Sequence, residues 1–274
     1  MSDLRKLALI SGGGALPVEV AAHLKRTNRP FTVIRIEGLS DPALADYAGF
    51  TLGLGDFGRL FSILAEEKCQ SVCMCGYVQR PDFTSLKRDA GGEAILPDIQ
   101  MAGRGGDDSL LRQVASGIAA QGYHIEGAHE VNPELLIGSG QQAGPDPSPE
   151  AMQDAQEAMR IAAAIGELDI GQSVVVAGRI TLAVEAQEGT QALLQRVAGL
   201  SPALRGTLAN RKGVLAKLVK PIQDQRLDMP TIGVQTLEDV AQAGLCGIVA
   251  RAHALLIVDK PAVFARADAL GIFI

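Results

Sequence analysis

The sequence predicts an α/β protein of two domains: an N-terminal Rossmann-like parallel sheet with helices on both faces, and a C-terminal mixed α/β domain. Three observations predict it. Short apolar runs alternate with helix-period stretches through the first half of the chain, the pattern of a parallel sheet covered on both sides. The run Gly138 to Pro149 is rich in Gly and Pro and poor in apolar residues, and it breaks that pattern. Beyond it, two apolar runs flank Gly178-Arg179, which reads as a β-hairpin. The expected layout is a first domain over residues 1–138, a linker over 139–149 and a second domain over 150–274.

The elements follow in order. Leu7 to Ile10 is a strand, and a turn of three glycines leads to a helix over Leu16–Arg26. Phe31–Ile36 is the second strand, Phe57–Glu67 a helix and Ser71–Tyr77 a third strand. Leu110–Gln121 reads as a helix that Asp107 and Asp108 could cap, and Tyr123–Glu126 as a short strand. In the second half a helix runs from Pro149 to Ile165, with Ser148 as its cap and Pro149 in its first turn. Met152 and Met159 on that helix read as core. Strands at Ser173–Ala177 and Ile180–Ala186 form the hairpin, and a helix over Thr190–Val197 follows with Thr190 as its cap. Gly213–Leu218, Gly247–Ala250 and Ala254–Val258 are strand-like, and Thr236–Ala243 and Lys260–Leu270 are helical.

Composition narrows the function classes. The chain has 274 residues, 47% of them apolar, with a net charge of −6, so it should fold around a sizeable core and is not a general nucleic-acid binder. Trp is absent, leaving the core to Val, Ile, Leu and Ala. No apolar stretch reaches ~18 residues and no leader pattern opens the chain. The expected location is the cytoplasm, with any membrane contact peripheral, at the inner face of the inner membrane. Cys69, Cys73, Cys75 and Cys246 lack the spacing of a structural zinc site and read as reduced thiols in the core.

Several groups could carry chemistry. The turn Gly12-Gly13-Gly14-Ala15-Leu16-Pro17 suits backbone contact with an anion at a helix start, but it fits neither dinucleotide nor P-loop spacing. Arg80 and Asp82 lie in the loop after the third strand, where a parallel sheet presents its ligand crevice. Arg80 could pair with a phosphate, and Asp82 could bind sugar hydroxyls or a metal. Asp107 beside Gly105-Gly106 could hold an oxygen-seeking cation, and His129 between Glu126 and Glu130 could serve acid–base chemistry or structure. Gln187, Glu188, Gly189 and Thr190 end a strand and open a helix. The segment Gly213–Gly233 is dense in Lys, Arg and Asp: Lys217, Lys220 and Arg226 could neutralise a diphosphate, and Asp228 could hold a metal or orient water.

Taken in order, SGGGALP, GYVQRPDF, GDDSLLR, IEGAHEV, AVEAQEGT, GVLAK, KPIQDQRLDMPTIG and GLCGIVA span nearly the whole chain. This set closely resembles the UDP-2,3-diacylglucosamine pyrophosphatases of the LpxI type, which act in lipid A biosynthesis in some Gram-negative bacteria. The resemblance implies two domains closing over an acylated UDP-sugar. It implies Mg²⁺-dependent attack of water on the sugar-side phosphorus, with release of UMP and the acylated sugar 1-phosphate (lipid X). It places the family's essential aspartate on Asp228, as metal ligand or water-orienting base, with Lys217 as its catalytic companion. It places further substrate contacts on Gly12, Gly13, Leu16, Pro17, Arg80, Asp82, Gln187, Glu188, Gly189, Thr190, Lys220 and Thr231. The linker and the stretch from Lys87 to Ile99 look variable. Two rival readings are a non-catalytic nucleotide-sugar or lipid-binding regulator and another nucleotide-sugar enzyme using the Gly12 turn. Release of UMP separates them.

Overall fold

The computed structural model describes residues 5–79, 81–103, 107–221 and 223–274. The chain divides into two compact units. Unit 1 comprises residues up to Glu134 together with Asp224–Asp228, and unit 2 comprises Leu135–Gln223 and Met229–Ile274.

Unit 1 is a five-stranded sheet, all parallel, in the order β3-β2-β1-β4-β5. Its strands are β1 (Leu7–Ser11), β2 (Phe31–Ile36), β3 (Gly49–Leu52), β4 (Ser71–Cys75) and β5 (His124–Ile125). Its helices are α1 (Leu16–Arg26), α2 (Phe57–Glu66), α3 (Ala90–Gly103), α4 (Asp107–Ala120) and the single turn α5 (Ala128–Val131). The period-2 alternation of the strands sends Ala8, Ile34 and Val72 to one face, where Leu60, Ile63 and Leu64 of α2 and Ile118 of α4 bury them. Leu7 and Leu9, on the other row, are also fully buried, and α1 packs on β1 through its own buried stripe of Val20, Ala21 and Leu24. This is the Rossmann-like arrangement that the sequence predicts.

A largely buried ion pair ties the sheet together. Arg29, just before β2, grips Glu126, just after β5, through two hydrogen bonds of 2.8 and 2.7 Å and also donates to the Ser71 hydroxyl. Both side chains are only 12% exposed. Burial alone raises the Glu126 carboxyl, but the hydrogen bonds from Arg29 and Ser71 and the Arg29 charge outweigh it, and the pKa lies below the ordinary value. A depressed carboxylate contributes stability above its unfolded pKa of roughly 4.3, and that stability is lost as pH falls through the folded value. Glu126→Gln should therefore cost about 3 kcal/mol at neutral pH, because Arg29 stays buried without its counter-charge. Urea midpoints measured against pH check this: the gap between wild type and variant should be widest near neutrality and shrink once Glu126 protonates.

Unit 2 holds a mixed four-stranded sheet in the order β10-β8-β6-β7. It is built from β6 (Ser173–Ala177), β7 (Ile180–Val184), β8 (Val214–Lys217) and β10 (Gly247–Val249). β6 runs antiparallel to both β7 and β8, while β10 is parallel to β8. A two-stranded parallel sheet joins β9 (Thr231–Ile232) to β11 (Leu256–Ile257). The helices are α6 (Pro149–Glu167), α7 (Gly189–Ala198), α8 (Val234–Gln242) and α9 (Lys260–Leu270). Ser148 caps α6 by accepting from the Ala151 N–H at 3.2 Å. The α6 stripe of Ala158, Ala162 and Ile165 covers Val174, Val176 and Ala216, with Met159 packed alongside. Met152, expected in the core, is 43% exposed instead, because it falls on the outer side of that stripe. The hairpin turn takes positive φ at both Gly178 and Arg179, and the buried Asp154 carboxylate accepts from both of their N–H groups at 2.9 and 2.7 Å.

The stretch over 139–149 was expected to separate the domains, and it lies within unit 2. Ala143 is buried in the unit 2 core, the Gln142 N–H donates to the Ile274 carbonyl, and the Ile274 N–H donates to the Ala143 carbonyl. Among the described residues no helix is long and apolar enough to cross a membrane. The four cysteines are free thiols, two of them buried in unit 1.

Candidate active site

In unit 1 the strand order reverses direction at β1, with β2 on one side and β4 on the other, so the ligand crevice of such a sheet falls beyond the carboxyl ends of β1 and β4. Two loops meet there. The Gly12 N–H donates to the Cys75 carbonyl at 2.9 Å, and Gly13 and Tyr77 exchange a pair of 2.8 Å backbone bonds. The loops touch so closely that a Cβ on Gly12 would lie 2.6 Å from the Tyr77 carbonyl oxygen, so only glycine fits. The N–H groups of Gly12 and Gly13, expected to face a ligand, are thus spent on this contact. Further along, the N–H groups of Gly14, Ala15 and Leu16 find no acceptor among the described residues, and α1 starts there without a side-chain cap and with Pro17 in its first turn. Those donors, with the positive end of α1, are what the turn can offer an anion. Tyr77 stands 69% exposed beside them.

Other expected residues of unit 1 take local roles. Asp82 is exposed, and its carboxylate accepts from the Thr84 hydroxyl at 2.7 Å, the Thr84 N–H at 2.9 Å and the Ser85 hydroxyl at 3.1 Å, which hold its pKa down. Arg80 and the side chains of Asp107 and Asp108 lie outside the described residues. Glu130 accepts from the Gly127 N–H at 2.7 Å, and the buried Nδ1 of His129 has no hydrogen-bond partner among the described residues.

The turn Asp224–Asp228 belongs to unit 1. Asp224 organises it: its carbonyl accepts from the N–H groups of Leu227 and Asp228, and its carboxylate holds the Arg226 guanidinium through bonds of 3.0 and 2.6 Å. The Arg226 hydrogen bonds and charge keep Asp224 below the ordinary carboxylate range. Arg226, which by residue type could neutralise a diphosphate, has its charge matched within the turn. Leu227 anchors the turn by packing on the unit 1 core beside α2 and α4. Asp228, next in sequence, is presented at the exposed surface.

In unit 2 a buried polar group gathers at the end of the mixed sheet. The Glu185 N–H continues the ladder beyond β7 by donating to the Ser173 carbonyl at 2.9 Å, and Ser173 pairs with Lys217 on the other side. Glu185, Ser173 and Lys217 therefore stand in one row on one face of the sheet. All three are buried, at 4%, 0% and 8% exposure. The Thr190 hydroxyl donates to Glu185 Oε1 at 2.8 Å and lies 3.3 Å from the Ser173 hydroxyl. With the Thr190 proton committed to Glu185, Ser173 is the donor in that second bond. Glu185 Oε2 is buried without a partner among the described residues. The Lys217 ammonium donates to the Thr231 carbonyl at 3.0 Å, while the Thr231 hydroxyl donates to the Met229 carbonyl.

The expected cap role of Thr190 is corrected here. The N-cap of α7 is Glu188, no side chain caps the helix, and the Thr190 hydroxyl serves Glu185. Thr190, Lys217 and Thr231 come together as parts of one structure, through Ser173 and Glu185, which the sequence reading passed over. Glu188 is exposed and salt-bridged to Arg196 at 2.6 Å, Gln187 is exposed, and Gly189 adopts φ +80° at the start of α7. The Lys220 ammonium pairs with Asp169 at 2.9 Å, so its charge is already partly matched.

Family models match this chain over nearly its full length. The model of the LpxI N-terminal domain covers residues 6–135 and that of the LpxI C-terminal domain covers residues 138–274. This chain belongs to the LpxI family. A curated relative, the UDP-2,3-diacylglucosamine pyrophosphatase LpxI of Caulobacter vibrioides, is 51% identical over 271 residues, which is 99% of this chain and 97% of the relative. Among solved structures, N5-carboxyaminoimidazole synthase from Aspergillus clavatus aligns with a TM-score of 0.24 at 13% identity, over 69% of this chain and 42% of that chain. A likeness that weak carries no weight for fold or activity.

Proposed function

We propose that this LpxI-family protein hydrolyses the diphosphate of UDP-2,3-diacylglucosamine to UMP and 2,3-diacylglucosamine 1-phosphate, with Mg²⁺ as cofactor. The observation that carries the reading is identity of 51% with a pyrophosphatase of that name across essentially both whole chains.

The chemistry needs charge neutralisation more than covalent help, because a phosphoryl centre under attack by water spreads negative charge over its oxygens. Water would add to the sugar-side phosphorus. The bond from that phosphorus to the bridging oxygen breaks, the bridging oxygen leaves with UMP, and the attacking oxygen stays in the sugar phosphate. We assign Asp228 as the metal ligand or the base that orients the water, and Lys217 as the buried cation that meets the phosphate. Lys220 and the N–H donors at the start of α1 are further anion partners.

The donor set suits Mg²⁺. Among the described residues no three His, Cys, Asp or Glu side chains cluster as a ready-made cage. Mg²⁺ is commonly bound by one or two carboxylates plus substrate phosphates, and Asp228 is a carboxylate presented at the surface on an anchored turn. When bound, Mg²⁺ would supply Lewis-acid stabilisation of the phosphate oxygens. Asp224 is a poor second ligand, since Arg226 occupies both of its oxygens. The test is UMP release from UDP-2,3-diacylglucosamine by purified protein. EDTA should abolish it and excess Mg²⁺ restore it. Tight binding of the nucleotide sugar without turnover at any Mg²⁺ concentration would favour a regulator instead.

A further inference from the structure

Unit 1 contains a mostly apolar cavity of roughly 170 Å³ between α2, α3 and α4, open to the surface where Gly117, Ala120 and Gln121 are exposed. Phe57 and Phe61 of α2, Ile95 and Ile99 of α3, and Val114 and Ile118 of α4 form most of its wall, joined by the amides of Gln113 and Gln121, with no charged side chain among the described residues. Apolar cavities of roughly 150 Å³ stay dry and take up benzene-sized hydrocarbon. This one would hold about six carbons on the same scale.

Gly117 makes the cavity look maintained. It lines the space from the interior of α4, where glycine is the poorest helix former short of proline. Neither common reason for a helical glycine applies. Its φ is not in the left-handed region, and a Cβ built on it would meet nothing within 4 Å. No neighbouring backbone needs the room. By contrast, Gly91 and Gly92 of α3 are required by contact, since their Cβ atoms would fall 2.3 and 2.1 Å from the backbone of Gly58 and Gly55. α3 is therefore held close to α2 on one side, while Gly117 leaves α4 open on the other.

Resting on the hydrolase reading above, we propose that this cavity receives the distal part of one acyl chain of the substrate, and that Gly117 is a chain-length determinant. The occupant follows from chemistry: the space is uncharged and mostly hydrocarbon-lined, and the substrate proposed for this chain carries two acyl groups. A charged headgroup or nucleotide would find no counter-charge there, only the amides of Gln113 and Gln121.

The test uses full-length protein and a series of UDP-2,3-diacylglucosamines of increasing acyl length. Each methylene that enters the cavity should improve binding about fourfold until the space is full. In wild type, kcat/KM should rise with chain length, mostly through KM. Gly117→Leu, which fills the space without meeting backbone and improves helix propensity, should lower kcat/KM for long chains at least tenfold and leave the shortest unchanged. Gly117→Ala should keep most of the wild-type rise. If Gly117→Leu fails to fold, Ile95→Trp plugs the cavity from the facing helix. A wild-type length profile in the plugged variants overturns the proposal. If wild type releases no UMP from any member, the hydrolase reading falls, and calorimetric binding of the same series to wild type and Gly117→Leu still decides the cavity.

Discussion

Asp228→Ala is expected to lose about a thousandfold or more in kcat while binding UDP-2,3-diacylglucosamine within a few-fold of wild type. The size follows from what the carboxylate would do: metal-assisted stabilisation of a phosphoryl transition state is worth several kcal/mol, and each 1.36 kcal/mol is about tenfold in rate. The fold should survive. The turn is organised by the Asp224 carbonyl and carboxylate and anchored by Leu227, and alanine keeps the backbone N–H that residue 228 donates to the Asp224 carbonyl. UMP release, calorimetry and a melting curve separate the possibilities. Wild-type turnover in the variant would remove Asp228 from the chemistry. A matching loss of binding and Tm would make its role structural.

Lys217→Met should cost about a hundredfold or more in kcat, with a smaller rise in KM. Lys217 is a buried basic residue at this end of the mixed sheet, at 8% exposure, and β8 delivers it beside Ser173. A cation held in a low-dielectric setting stabilises developing phosphate charge far more than a solvated one, and losing one pre-organised electrostatic partner commonly costs 10²–10³ in rate, as an order of magnitude. Methionine keeps the apolar stem and removes the ammonium. Lys217→Arg should not restore full activity, because the larger planar guanidinium does not fit the buried space from which the ammonium donates to the Thr231 carbonyl. If Lys217→Met raises KM alone, the lysine contributes to binding in ground and transition states equally.

Much of the fold is legible in the chain because local and tertiary preferences agree. β1, α1, β2, β6, β7 and α9 sit where periodicity and turn chemistry put them, and the Gly178-Arg179 hairpin follows from its turn residues. The elements that escape detection are those where tertiary contact overrides propensity. α3 contains Gly91, Gly92, Pro97 and Gly103 and has no clean helical signature, yet its glycines are what allow it to lie against α2. β3 is a four-residue strand opening with Gly49 at the edge of the sheet, and β9 is two residues long inside a loop dense in charge. Neither offers enough residues for a period to show.

The candidate site divides in the same way. Asp228, Lys217 and Thr190 can be picked out from residue type and position in a motif. Glu185 and Ser173 cannot be found so easily, because their meaning comes from strand pairing across β6, β7 and β8. A signal for Glu185 does exist: counting by two from Ala183, an inward position of β7, the next inward position carries a carboxylate. The hydrogen bonds of Gly12 and Gly13 and the pairing of Arg226 with Asp224 are invisible to motif reading, since a glycine or arginine in a loop looks equally available whether or not a neighbour has taken it.

In the proposed reaction, water cleaves the substrate's diphosphate at the sugar-side phosphorus. The most direct measurement is incubation of purified protein with UDP-2,3-diacylglucosamine and Mg²⁺ in ¹⁸O-labelled water, followed by mass analysis of both products. The expected result is unlabelled UMP and one heavy oxygen in the acylated sugar 1-phosphate. Label in UMP, or no UMP at all, would contradict it.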